Sequence, residues 1–175
     1  MQSGNDRTAA PPGRLMATRA LLLHPARQLR LPNARVTVFD ASLRALAADL
    51  IRVMREHNGV GLAAPQVGVN VQLVVADLSA EGGVPLVLAN PRLAALDRTL
   101  EYDREDCLSL PGRFDAAVPR FASVELEAQD LEGNRVALTA EGFGGRCLQH
   151  EIDHVHPAGG ILWFDRLASG ERLAH

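Results

Sequence analysis

The sequence predicts an α+β fold, in which antiparallel sheets pack around a central C-terminal helix that bears an HExxH motif, with an N-terminal helix. Three observations support this class: a helical apolar pattern over 41–57, several short alternating segments separated by glycine turns, and a second helical pattern over about 142–156. The length of 175 residues suits one domain. We expect that domain to span 16–168, between a flexible leader (1–15) and a C-terminal tail (169–175).

The first helix is predicted from apolar residues that recur at helical spacing and form one stripe: Leu43, Leu46, Ala47, Leu50 and Met54. Asp40 precedes the segment as an N-cap candidate, because its carboxylate can accept hydrogen bonds from the first turn. Asn58 and Gly59 follow it and favour a left-handed end. The glycine-rich segment 59–70 then reads as a loop.

The strands are predicted from short apolar or alternating runs. Segments 71–78 and 84–90 are expected to be two strands joined by a turn at 81–83. Segment 122–140 is expected to form a hairpin with its turn at 132–134, because apolar and polar residues alternate along its first half. The late helix is expected to end before a proline and two glycines, which disfavour helix continuation.

Composition excludes several classes of function. The net charge of -3 argues against an electrostatic nucleic-acid binder. All 18 basic residues are arginine, so mechanisms that need a lysine Schiff base are excluded. Two cysteines cannot staple a disulfide scaffold, and no run approaches the roughly 18 apolar residues of a membrane span. We therefore expect a cytoplasmic protein without membrane or direct nucleic-acid contacts.

The strongest local signal for chemistry is the sequence HEIDH within the late helix. His150 and His154 are one helical turn apart, about 6 Å along the axis, so both rings can face one metal ion. Glu151 follows the first histidine, where a carboxylate can accept a proton from water. The alternative is a solvent-exposed polar face, but the rest of the helix is apolar and predicts burial.

The third metal ligand is found by elimination. Glu171 lies in a polar tail, and position 160 is glycine where a metzincin would have histidine. Cys147 shares the face of the two histidines, but it is about 10.5 Å from His154 along the axis, too far for one tetrahedral ion. Cys107 remains, and it would give two nitrogens, one sulfur and a fourth position open to water.

The segment GVGLAAPQ could form part of a substrate site. Its default meaning is a tight turn between a helix and a strand. The absence of side chains at Gly59 and Gly61 would also let a substrate backbone approach closely. The side-chain amide of Gln66 could then donate a hydrogen bond to an oxyanion.

These segments together resemble a known family. GVGLAAPQ, EDCLS and QHEIDH, in this order, are similar to the three signature motifs of peptide deformylases, and VPRF and ILWFDRL also fit. The resemblance runs from about Leu22 to Leu167. It implies an enzyme that removes the N-formyl group from the formyl-methionine of nascent polypeptides. It also implies that these chains are processed at the ribosome. It also implies one divalent metal, natively Fe2+, with Zn2+, Ni2+ or Co2+ able to occupy the site.

The resemblance also implies a role for each matched position. The metal ligands would be Cys107, His150 and His154, in agreement with the elimination above. Glu151 would be the general base and then the general acid. The oxyanion donors would be Gln66 and the backbone N–H of Leu108. The substrate contacts would be the main chain of Gly61 and a methionine pocket walled by Val60, Phe143 and Cys147.

Departures from the family pattern leave two alternatives. Asp106 stands where the family has glycine, which would be strained if that backbone needs a positive φ. One alternative is therefore a deformylase-like binder of formyl-peptides with reduced or lost turnover. The other is an HExxH metallopeptidase that uses Glu171. Glu105 and Arg120, in matching motif positions, are expected to form an ion pair that braces the cysteine loop.

Overall fold

The computed structural model describes residues 19–79, 82–112 and 115–159. The predicted leader and tail, the ILWFDRL segment and Glu171 lie outside these residues. The described elements, in chain order, are α1 (Ala41–Glu56), β1 (Gly61–Ala63), β2 (Leu73–Ala76), β3 (Leu86–Glu105), β4 (Asp115–Gln129), β5 (Arg135–Glu141) and α2 (Gly142–His154). The α+β class is therefore confirmed at the level of two helices and an antiparallel sheet.

Helix α1 forms as its sequence predicts. The Asp40 carboxylate accepts hydrogen bonds from the backbone N–H groups of Ser42 and Leu43, at 2.9 and 3.1 Å. Just beyond the helix, Asn58 adopts a φ of 54°, the left-handed conformation that ends a helix. The apolar stripe is buried against β1 and β2. This packing fixes the start of the glycine-rich segment that leads into β1.

Among the described residues the strands form one five-stranded antiparallel sheet in the order β1-β2-β3-β4-β5, where several sheets were expected. The expectation of a plain loop after α1 was wrong at β1 and at the 3₁₀ turn Ala64–Val67. The expected strand at 84–90 was too short: β3 continues to Glu105, well past the expected end at 90. Most side chains described beyond that point are exposed, so neither face carries the alternating apolar signal.

Helix α2 packs across the sheet, and Gly145 lies close to the backbone at the end of β5. A Cβ at Gly145 would lie 3.0 Å from the carbonyl oxygen of Ala140, so this position requires a small residue. The helix ends at His154, two residues before the expected end. There Asn33 donates through Nδ2 to the carbonyl oxygens of His154 and His156, each at 3.0 Å. The N-terminal segment thus satisfies carbonyl groups at the end of the helix.

No helix in the described part of the chain is long and apolar enough to cross a membrane.

Candidate metal centre

Three donor atoms that are distant in sequence converge between the end of β3 and helix α2. The sulfur of Cys107 and one ring nitrogen each of His150 and His154 all lie within 4.8 Å of one another, and all three residues are buried. Cys107 Sγ is 3.4 Å from His154 Nε2. Two ligands of one tetrahedral ion, with bonds of about 2.3 and 2.1 Å, would be about 3.6 Å apart. The spacing and the donor set therefore fit a divalent metal ion.

A contact with Glu105 orients the ring of His150. His150 Nδ1 lies 2.9 Å from Glu105 Oε2, which leaves Nε2 as its metal-facing nitrogen. Burial opposes charge on His150, but hydrogen bonds to Cys107 and Glu105 raise its pKa to about 10. Burial and the neighbouring charge of His150 instead hold the pKa of His154 well below its usual range. His154 is therefore neutral, whereas His150 would have to give up its proton to bind a metal.

A buried network of two arginines and two carboxylates supports this arrangement. Arg120 donates from Nε and Nη2 to the two oxygens of Glu105, both at 2.8 Å, and from Nη1 to Asp153 at 2.7 Å. Arg146 donates to Glu105 at 3.0 Å. Burial would raise the pKa of Glu105, but hydrogen bonds from Arg120 and His150 outweigh it and hold the pKa at about 2. The expected Glu105–Arg120 pair is confirmed.

Arg120→Met is expected to lower the free energy of unfolding by about 3 to 5 kcal/mol, because it leaves buried carboxylates without their partner. Arg120 is almost fully buried. Arg135→Met is the matched control, since Arg135 pairs with Glu127 on the surface and should contribute little. Urea unfolding of both variants measures the difference. Equal midpoints for the two variants would contradict a supporting role for the network.

Glu151 points into the space beside the three donors. It is 5% exposed, and its Oε2 atom is buried without a hydrogen-bond partner among the described residues. The Nδ1 atom of His154 also lacks one there. Burial raises the pKa of Glu151 to about 7. A carboxyl group in this state can accept a proton and return it near neutral pH.

The structure gives Gly61 a function that the sequence did not predict. A Cβ at this position would lie 2.8 Å from both Cγ and Cδ of Glu151, and would also collide with Oε1. The space that we assigned to an approaching substrate is therefore filled on this side by the carboxylate. Gly61 is needed for the placement of Glu151, whatever else it contacts.

Gln66 and Leu108 both line the cavity together with Cys107. The Oε1 atom of Gln66 accepts a hydrogen bond from the backbone N–H of Ala63 at 2.8 Å. Its Nε2 atom lies 3.1 Å from Ser109 Oγ and 3.8 Å from Cys107 Sγ. Leu108 follows the cysteine directly, so its backbone N–H belongs to the same loop. The structure thus brings both expected oxyanion donors next to the metal ligands.

A cavity of about 920 Å³ opens onto this cluster. Val60, Phe143 and Cys147, expected to wall a side-chain pocket, all line it. Phe143 is 64% exposed at the mouth, whereas Cys147 is buried, and burial raises the pKa of its thiol. Cys147 is therefore held as a neutral thiol in the cavity wall.

Asp106 also lines the cavity and is exposed. The described non-glycine residues with positive φ are Asn58 and Asn90, so Asp106 does not adopt the left-handed conformation. The strain expected if this position required glycine is absent.

Sequence reasoning missed three side chains of the site: Ser109, Arg146 and Asp153. Arg146 and Asp153 follow the helical spacing i, i+7 and flank His150, so their shared face with the ligand was visible in the sequence. Their side-chain partners were not visible, because Arg120 on β4 and Glu105 on β3 come from other elements. Ser109 lies in the EDCLS motif, but its contact with Gln66 joins residues 43 positions apart.

Comparison with known proteins matches the chain to a protein family. Residues 18–173 match the family model described as polypeptide deformylase. The peptide deformylase of Prochlorococcus marinus (strain AS9601) is 39% identical over 147 residues, which cover 83% of this chain and 71% of that protein. The matched range of the family model contains every candidate site residue.

Solved structures of peptide deformylases are also similar to this chain. The crystal structure of peptide deformylase from Thermotoga maritima aligns with a TM-score of 0.75 at 32% identity, covering 83% of this chain and 95% of that one. A peptide deformylase from Synechococcus elongatus, solved in complex with actinonin, aligns with a TM-score of 0.76 at 36% identity. It covers 89% of each chain.

Proposed function

The chain belongs to the peptide deformylase family, a family of metal-dependent hydrolases, and we propose that Cys107, His150 and His154 hold its metal while Glu151 transfers the proton. Its reaction removes the N-formyl group from the formyl-methionine of a polypeptide. The observation that supports the assignment of residues is the buried Cys-His-His cluster with the unpartnered Oε2 atom of Glu151 beside it.

The proposed residues account for the proton and charge changes of the reaction. Glu151 accepts a proton from the water whose oxygen bonds to the formyl carbon. Gln66 and the backbone N–H of Leu108 donate to the oxygen that becomes negative as that bond forms. When the C–N bond breaks, Glu151 gives its proton to the departing nitrogen. The products are formate and a free α-amino group.

A divalent metal ion bound to this donor set supplies Lewis acidity, which acidifies water and polarises carbonyl oxygens. We propose Fe2+ as the native ion, with Zn2+, Ni2+ or Co2+ as substitutes. The mixed thiolate and imidazole ligands suit all four metals.

The substrate is proposed to bind along β1. This strand is at the edge of the described sheet and lines the cavity through Gly61, so its outer edge can pair with an extended peptide. The side chain of the formyl-methionine would then lie against Val60, Phe143 and Cys147. Docking at the ribosome and a cytoplasmic location stay predictions.

The comparisons decide between the functions that the sequence left open. Both the matched family and the solved relatives are deformylases, and none of those cited is an HExxH endopeptidase. The metallopeptidase alternative is therefore set aside. The binder alternative is not favoured, because the chain keeps Glu151 and both oxyanion donors around the cavity.

The function is tested with formyl-Met-Ala-Ser and the iron-loaded protein, kept free of oxygen. We expect release of formate and of a free amine in equal amounts. Acetyl-Met-Ala-Ser is the matched control and should react far more slowly, because its extra methyl group must fit between Gly61 and Gln66. Binding of the formyl peptide without formate release, with one metal ion per chain present, would instead support the binder alternative.

A further inference from the structure

The orientation of the Gln66 amide follows from its neighbours. A backbone N–H can only donate, so the atom that contacts the N–H of Ala63 at 2.8 Å is the amide oxygen. The amide nitrogen must therefore face the cysteine loop. One of its two N–H groups is directed to Ser109 Oγ, 3.1 Å away. The other is directed to the sulfur of Cys107, which lies 3.8 Å from the amide nitrogen.

The contact between the serine hydroxyl and the amide is shielded from solvent. Ser109 is 0% exposed, and Gln66 is 2% exposed. The backbones of both residues are also fixed by one segment: Leu22 N–H donates to the Gln66 carbonyl at 2.7 Å, and His24 N–H donates to the Ser109 carbonyl at 2.8 Å. The hydroxyl and the amide thus face each other at a distance set by the fold.

We propose that Ser109 is a positioning residue for oxyanion stabilisation. Its Oγ atom accepts one N–H of Gln66, which directs the second N–H to the side of Cys107, where the carbonyl oxygen of the substrate would accept it. The inference rests on the proposed function, because it needs Gln66 to donate during hydrolysis. Leu108, the other donor, is the residue before Ser109. One short loop after β3 would therefore set the direction of both donors and carry the ligand Cys107.

A double-mutant cycle with Gln66 tests the proposal, with formyl-Met-Ala-Ser as the substrate. Ser109→Ala is expected to lower kcat about tenfold with little change in KM, since a misdirected donor costs less than the 10²- to 10³-fold of a missing one. Gln66→Met fills similar space without an amide and should cost more. Added to Gln66→Met, the Ser109→Ala change should lower kcat by less than about twofold.

Leu110→Ala is the matched control for general loosening of the loop. Leu110 is buried in one apolar cluster with Leu29, Val118 and Cys107, so its truncation loosens the same loop without removing a polar group. It should lower activity by the same factor with and without Gln66. Metal content is measured for every variant. An equal effect of Ser109→Ala in both backgrounds, or a loss explained by lost metal, would overturn the proposal.

The same measurements distinguish failure of the proposed function from failure of the proposed role of Ser109. If the unmodified protein releases no formate, the proposed function fails. If the unmodified protein is active and the cycle is additive, the role of Ser109 fails. Should Ser109→Ala not fold, Ser109→Thr and Ser109→Val replace it, because they share a shape and differ in the hydroxyl. The proposal requires the threonine variant to be the more active one, and equal activities would overturn it.

Discussion

Replacing Glu151 with glutamine is expected to lower kcat by about 10²- to 10⁴-fold, the usual contribution of a general base, with little change in KM. Glutamine has the same shape and keeps the packing over Gly61, but it cannot accept the proton from water. The substrate contacts proposed along β1 do not involve this side chain. Steady-state kinetics with formyl-Met-Ala-Ser measures both parameters.

The matched control is Glu132→Gln, which removes the same charge from the exposed turn between β4 and β5. It should leave both kinetic parameters unchanged. The metal content of Glu151→Gln should also remain at about one ion per chain, because Glu151 is not among the three proposed ligands. If Glu151→Gln kept more than a tenth of the original kcat, another group would have to accept the proton.

Cys107→Ala is expected to empty the metal site and abolish turnover. The three donors lie within 4.8 Å of one another, and two imidazoles alone hold a divalent ion much more weakly than two imidazoles and a thiolate. Metal analysis after desalting should fall from about one ion per chain to a small fraction. With Co2+ loaded into the unmodified protein, the near-ultraviolet absorption of a cobalt–thiolate bond should appear and be lost in the variant.

The second cysteine provides the control for this experiment. Cys147 lines the same cavity, and burial keeps its thiol protonated. Cys147→Ala should therefore keep its metal and the cobalt–thiolate absorption. If Cys147→Ala loses the ion and Cys107→Ala retains it, the proposed ligand set is wrong.

The sequence predicted those parts of the fold whose signal is local. Helix α1, its cap at Asp40 and the left-handed residue after it follow from patterns within a few positions. The two histidines on α2 are also a local pattern, one helical turn apart. Cys107 is not local; it was predicted by eliminating Glu171, position 160 and Cys147, and its sulfur lies within 4.8 Å of the histidine nitrogens.

Features that depend on distant partners could not be predicted. From Arg92 to Arg104 most described side chains of β3 are exposed, so this part of the strand pairs with β4 without an apolar signature of its own. Likewise, a glycine at position 61 shows that a side chain is absent, but not which atoms use the space. Only the fold shows that Glu151 occupies it.

The docking of helix α2 onto the sheet has a consequence for the order of events while the protein is synthesised. Cys107 and His154 are separated by 47 residues, and two of the three proposed ligands are on the last described helix. On the ribosome, the sheet and the cysteine emerge before this helix does. Until α2 docks, the thiol has neither imidazole beside it. A metal held by all three residues can therefore bind only after α2 has been synthesised and has docked onto the sheet.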